Sequence, residues 1–222
     1  MGYEFDFGAL AQYWGLFLRG TAVTLGLTAV SSFFGIAFGI WGAAVSRGKS
    51  PWGRRIVASY VELIRNTPFI VQIFFIFFGL PSLGLRLSAL QAAALAMTIN
   101  LTAYAIEILR AGIEAVPAGQ GEAGRSLGLR ALPLFALIVL PQALANVYPA
   151  LVAQITITML ESAVVSQIAV VDLTHVADFI QSRNFRSFET YFVITIIYLV
   201  LAVLMRRMLV LAGSRLFRGR SP

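Results

Sequence analysis

Residues 122–141 read EAGRSLGLRALPLFALIVLP. The stretch opens small, charged and punctuated by glycine, and it closes as an apolar run with more apolar chain on both sides. Pro117 just upstream suits a helix start. Glu122 sits near the positive end of the helix dipole that follows. Gly128 suits the left-handed residue just beyond a helix C-terminus. Gly121 and Gly124 each cost about 1 kcal/mol relative to alanine inside a helix, and helices under about 12 residues are marginal alone. Residues 118–128 are therefore expected to form a short helix that holds its shape only when packed against something else. Ala118, Gly121 and Gly124 recur at spacing three, giving one nearly side-chain-free face for close packing.

The surroundings of this stretch set the class. Of 222 residues, 59% are hydrophobic and 12% charged, against about 25% charged in an ordinary soluble domain. Apolar surface on that scale needs lipid as its solvent, so the chain reads as one all-α transmembrane domain over residues 1–222. There is no cysteine, which excludes disulfides and thiolate metal sites; a lone histidine, His175, expected in an external loop, makes no metal site either. The net charge of +7 does not point to nucleic acid, because the basic residues gather at the ends of apolar runs, as they do in cytoplasmic membrane loops. The opening residues MGYEFDFGALAQYW lack a basic n-region and a small-residue cleavage site, so no removable signal peptide is expected.

A bilayer span needs about 20 apolar residues. Five candidates follow, at about 21–45, 56–80, 87–113, 142–160 and 191–211. The first carries GIAFG (Gly35 to Gly39), a spacing that admits a close neighbour, and a Thr21, Thr24, Thr28 stripe suited to helix packing. The second is interrupted by RNTP (Arg65 to Pro68), where Pro68 removes a donor and disfavours helix at Thr67, predicting a kink. Glu62 and Arg65, three apart, are expected to pair there. The first connection carries Arg47, Lys49, Arg54 and Arg55 and no acid; the C-terminal tail carries Arg206, Arg207, Arg215, Arg218 and Arg220 and no acid. Both are assigned to the cytoplasm, which leaves the N-terminus outside and puts residues 118–128 on the cytoplasmic side.

The spacing in the quoted stretch is specific. Glu122, Ala123 and Gly124 are followed by three residues, Gly128, nine residues, and then Ile138, Val139, Leu140 and Pro141. This resembles the EAA loop of ABC import permeases, departing from it at Gly124, where alanine is usual. YVELIRNTPFIVQ (Tyr60 to Gln72), NLTAYAIEILRAGIEAVPAGQ (Asn100 to Gln120) and FRSFETY (Phe185 to Tyr191) are similar to segments of the polar amino-acid branch of the same family. The resemblance implies a type I ABC importer permease of about five transmembrane helices in a bacterial inner membrane. It implies that Gln120, Glu122, Ala123, Gly124, Leu127 and Gly128 form a cytoplasmic coupling helix docking into a partner ATPase. It further implies a second permease subunit, identical or related, two ATP-binding subunits that hold the ATP and magnesium, and an extracytoplasmic solute-binding protein. The chain itself is expected to be no enzyme. AAVSRGKS (Ala43 to Ser50) mimics a phosphate loop, but Ala43 stands where glycine is required, and a span precedes it where a strand should.

Charges within spans are costly, about 2.5–3.5 kcal/mol on insertion scales, and are functional candidates by default. Asn100, Tyr104 and Glu107 are spaced four and three and share a helix face. An amide, an aromatic ring and a carboxylate there could hold an ammonium group; alternatively, Glu107 pairs with Arg110 at the cytoplasmic edge. Glu161 falls where the fourth span is expected to end. Aligned on the family pattern L-K-D-T-S, it takes the aspartate position, with Leu160 in the lysine position. That surplus of negative charge favours a cationic amino acid or a related guanidino or amine solute, with Met159, Ser162, Thr156 and Thr158 as secondary lining; other polar or acidic amino acids are the alternative solutes for the same kind of permease. The other reading makes Glu161 a solvated external cap. An ion-coupled secondary transporter is the rival class, but it favours paired broken helices, and the sequence has one interrupted span without a second copy.

Overall fold

The computed structural model describes residues 4–48 and 50–217; Met1 to Tyr3, Lys49 and the tail residues Arg218 and Arg220 lie outside the described residues. Among the described residues the chain is helical, with no strand. Four helical rods are long and apolar enough to cross a membrane, or five spans if one sharply bent pair counts as a crossing.

The first rod is α1, Trp14–Ser46. It is longer than the expected span because Trp14–Gly20 continues the helix outward. At about 1.5 Å per residue its 33 residues reach about 50 Å, well beyond a hydrocarbon core of about 30 Å. Gly35, Gly39 and Gly42 face α4, Ala89–Glu114. A Cβ at Gly39 would lie 2.6 Å from Ala105 Cβ, and one at Gly42 would lie 2.5 Å from Ile106 Cδ1. The GIAFG segment thus gives the close approach its spacing predicts, with α4 as the neighbour. Thr24 and Thr28 are buried; Thr28 Oγ1 donates to Thr24 O and Leu173 N–H to Thr24 Oγ1. Ser88 caps α4 in a reciprocal box with Gln91. In α4, 61% of the most apolar stretch is buried, against 6% in α9, Ser187–Leu216. So α4 is the core of the bundle and α9 its edge.

The second span is not a kinked rod. α2, Pro51–Arg65, and the helical segment that starts with α3, Phe69–Phe74, and runs on to Leu83 meet at 106°. The proline alone explains a kink; the larger bend follows from the polar groups that replace helix bonds. Asn66 Nδ2 donates to Glu62 O, and Thr67 Oγ1 donates to Leu63 O. Gln72 Nε2 reaches Ile64 O at 2.8 Å and Thr67 O at 3.0 Å. The carbonyls left open at the end of α2 are satisfied without a continuing helix, as apolar surroundings demand. Tyr60 Oη donates to Ile99 O and fastens α2 to α4.

The fourth rod begins earlier and ends later than expected. α6, Ala131–Leu134, a wider π turn at Phe135–Val139, α7, Leu140–Glu161, and a 3₁₀ stretch at Ser162–Ile168 run continuously over 38 residues. The π turns at 75–79 and 135–139 each end two residues before a proline, Pro81 and Pro141. A wider turn accommodates the missing N–H and the ring of the proline beyond it. The fourth connection is not a simple loop. It contains α8, Leu173–Asn184, capped by Asp172, and His175 sits in its first turn. Leu173, Val176, Ala177 and Ile180 pack on Leu10, Phe17 and Ile194, so α8 ties the start of the chain to α9. Arg186 pairs with the buried Glu189 at 2.9 Å beside it.

Candidate functional site

The candidate coupling element is α5, Ala118–Ser126, preceded by Pro117. It is separate from the rods on both sides. Gly128 at φ +77° ends it. Gly128 N–H donates to Arg125 O (2.9 Å) and Leu129 N–H to Gly124 O (3.1 Å), the pair of reversed bonds of a Schellman stop. Of the small-residue face, only Gly124 is packed inward; Ala118 is exposed and Gly121 half-buried. Gly124 is buried, and a Cβ there would lie 2.3 Å from Leu134 Cδ1 and 3.1 Å from Ile138 Cδ1. Ala118 and Gly121 border a groove beneath α5 shared with Val116, Leu134 and Val139. The chain's own fourth rod therefore supplies the packing at Gly124. Gln120, Glu122, Ala123 and Leu127 remain exposed. Leu127, at 81%, is a large apolar side chain with nothing of this chain over it. The departure at Gly124 has a local cause, since Leu134 occupies the space an alanine methyl would need.

The candidate substrate residues separate into two levels. The N-terminal part of α4 packs on Val165, Ile168 and Val170, while Gly112 near its end meets Ala143 and Val147; α4 and α7 are antiparallel. Counted from the Gly112–Val147 contact at about 1.5 Å per residue, Asn100 lies about 18 Å along, Glu161 about 21 Å and Glu107 about 8 Å. Glu107 and Glu161 cannot grip one small solute together.

At the first level, Glu161 is half-buried, and among the described residues no cation and no hydrogen-bond donor offsets its burial. It is not a solvated cap: the rod continues seven residues beyond it as the 3₁₀ stretch. Met159 and Ser162 are fully buried, and Ser162 Oγ donates to Met159 O at 2.6 Å, so in this conformation neither offers a free group. Thr156 Oγ1 likewise donates to Val152 O, whereas Thr158 Oγ1 is buried and unpartnered. Asn100 is buried and donates to Gln72 Oε1 at 3.1 Å, which engages it in holding the broken span.

At the second level, Tyr104 and Glu107 line a cavity of about 600 Å³ with Ser46, Arg54, Glu62, Arg65 and Arg110. Arg110 Nε lies 3.0 Å from Glu107 Oε1, and Arg65 Nη1 lies 3.1 Å from Glu107 Oε2. The Arg65 guanidinium also stands over the Tyr104 ring, 5.4 Å from its centroid. The expected Glu62–Arg65 pair is replaced by this longer-range one. Glu107 thus pairs with Arg110 and also borders a cavity. Glu114 extends the chain of charges to Arg110 (3.3 Å) and Arg47 (3.6 Å), linking α1, α2 and α4.

Arg65 and Gln72 were legible only as neighbours of a proline; their partners, 42 and 28 residues away, carry no local signal. The Arg186–Glu189 pair does have one, an i,i+3 spacing at a helix start.

Residues 35–218 match the family described as binding-protein-dependent transport system inner membrane component. The chain is 39% identical over 145 residues to a probable glutamine ABC transporter permease of Bacillus subtilis, GlnM, covering 65% of this chain and 67% of that one. It is 33% identical over 204 residues to the arginine transport system permease ArtQ of the same organism, covering 90% and 92%. Among solved structures it is similar to an amino acid ABC transporter crystallised with histidines, with a TM-score of 0.86, 38% identity, and coverage of 96% of this chain and 100% of that one. An inward-facing methionine transporter, MetNI, shares the fold at a TM-score of 0.74 and 23% identity.

Proposed function

The chain belongs to the family of inner membrane components of binding-protein-dependent transport systems, in its polar amino-acid branch, and from that premise we propose that it is the transport and coupling subunit of an ATP-driven importer of cationic amino acids or related guanidino or amine solutes. It spans the membrane beside a second permease copy or relative. Two ATP-binding subunits hold ATP and magnesium on the cytoplasmic side, and a solute-binding protein delivers solute from outside. The N-terminus lies outside and the C-terminus in the cytoplasm of a bacterial inner membrane.

The observation that carries the mechanical part is α5. Its inner face is anchored on Leu134 and Ile138 of the fourth rod, and its outer face exposes Gln120, Glu122, Ala123 and Leu127. A partner gripping that outer face would move the fourth rod with it. Glu161 lies on that rod, so closure of the ATPase pair would swing the outer carboxylate between outward and inward openings. This chain supplies the path, part of the pocket and the joint, and no covalent step.

The cationic preference rests on Glu161, a half-buried carboxylate that no cation among the described residues neutralises. A solute's ammonium or guanidinium would supply the missing charge. The test is uptake of L-arginine, L-lysine and L-glutamine by the reconstituted transporter with Glu161→Gln. The cationic solutes are expected to lose uptake and glutamine to keep it; unchanged arginine uptake removes Glu161 from the pocket. A glutamine importer is the second reading. It is favoured by the similarity to glutamine permeases and by the guanidinium groups already engaging Glu107.

A further inference from the structure

The contacts of Arg65 have a particular chemistry. A guanidinium lies against a carboxylate oxygen and over an aromatic face inside an open cavity, which is the arrangement that recognises a free guanidinium or ammonium ligand. The two arginines on Glu107 differ in origin. Arg110 is three residues along the same helix and stays with its partner. Arg65 arrives from another element. It is the last residue of α2, at the 106° break, so no shared helix fixes its distance to Glu107, and a change of its side-chain rotamer withdraws it. Its side chain and that of Glu107 are 40% and 30% exposed; pairs this open to water are held weakly and exchange readily. Glu62, a second carboxylate on the cavity wall, has no ion-pair partner among the described residues.

We propose that Arg65 is a tethered occupant of an inner cation station formed by Glu107 and Tyr104, and that the side-chain guanidinium or ammonium of the transported amino acid replaces it on the way through. This rests on the reading of the chain as a permease for cationic amino acids. Solute and Arg65 compete for one carboxylate, so occupancy of the station and the Arg65 side-chain conformation are linked. A solute at Glu107 favours Arg65 swung away, and Arg65 swung back expels the solute. The tether therefore acts as a built-in displacer that keeps a cation from resting in the path. It sits about 13 Å of helix rise from Glu161, so the two carboxylates would serve successive stops.

The experiment is equilibrium binding of radiolabelled L-arginine to the transporter purified through this chain, without binding protein. Every sample carries Glu161→Gln, which removes the outer site. Arg65→Ala should tighten L-arginine binding about tenfold, the change expected if the tether holds the station nine-tenths of the time. L-glutamine binding should not change, and adding Glu107→Gln should abolish the gain. Arg65→Lys, which keeps a tethered charge but loses the planar fork, should give a smaller gain. Arg65→Gln replaces the alanine variant if the latter fails to assemble. The proposal is overturned if Arg65→Ala gives no gain, if glutamine gains equally, if the gain survives Glu107→Gln, or if neither neutral variant assembles, since Arg65 is then a structural strut. Because the outer carboxylate is already absent, none of these outcomes depends on whether Glu161 selects the solute.

Discussion

Asp172 is fully buried, yet it caps α8, accepting from Thr174 N–H at 3.2 Å and His175 N–H at 2.9 Å, with Tyr198 Oη at 3.3 Å. Burial raises its carboxyl above the usual range despite those donors. A raised folded-state value means that the contribution to stability is complete below the unfolded value and is lost as pH rises through the folded one. Asp172→Asn keeps the cap and removes the titration. Its melting temperature relative to wild type should therefore rise with pH, and a flat difference would rule out the buried carboxyl as the cause. Asp172→Ala loses the cap and should cost about 1 kcal/mol relative to Asp172→Asn across the pH range. Gly128 presents a second residue-scale case. At φ +77° an alanine is strained by about 1–2 kcal/mol, and α5 amides in Gly128→Ala should exchange hydrogen faster while those of α4 do not.

At the scale of elements, two joints matter. The break between α2 and α3 is held by Gln72, which also accepts from Asn100. Gln72→Leu would strand the Thr67 carbonyl and the Asn100 amide, while Ile64 O keeps its Thr67 donors; each buried unsatisfied group costs about 1–3 kcal/mol. A thermal melt in detergent should drop accordingly, and a variant as stable as wild type would mean that water replaces the glutamine. The other joint is α5. Leu127→Asp should reduce co-purification of the ATPase, while Glu122→Gln should leave the ATPase bound and turning over ATP but reduce uptake. Full coupling in both variants would discard the docking face assigned here. Much of this scale was legible from sequence: EAGRSLG specifies a short helix with a glycine stop, and RNTP marks an interruption. The bend angle and the burial of Gly124 were not, because both depend on residues elsewhere in the chain, Asn100 and Leu134.

For the whole molecule, orientation is the open mechanical variable, and the absence of cysteine makes it directly measurable. Ser126→Cys on α5 should react with a membrane-impermeant maleimide only from the cytoplasmic face. Ser82→Cys, exposed before α4, should react only from outside. The reverse pattern would invert the assignment of α5 to the ATPase side. The bundle is arranged about α4, which contacts α1, α2, α7 and the turns of the broken span. The fourth rod touches α4 and also α9 and α1.

The sequence by itself determined the class, the apolar runs and the coupling motif, because hydropathy, charge placement and glycine spacing act locally along the chain. It also marked Glu107 and Glu161 as costly charges. Only the tertiary structure decided what those charges meet: Glu107 is gripped by Arg110 from its own helix and Arg65 from another, and Glu161 is left half-buried in a rod that runs on past it. It also decided that α2 and α3 meet at 106°. The physical reason is that ion pairs and buried hydrogen bonds are satisfied through space, by whichever partner the packing brings within 3 Å, and distance along the chain says little about which partner that will be.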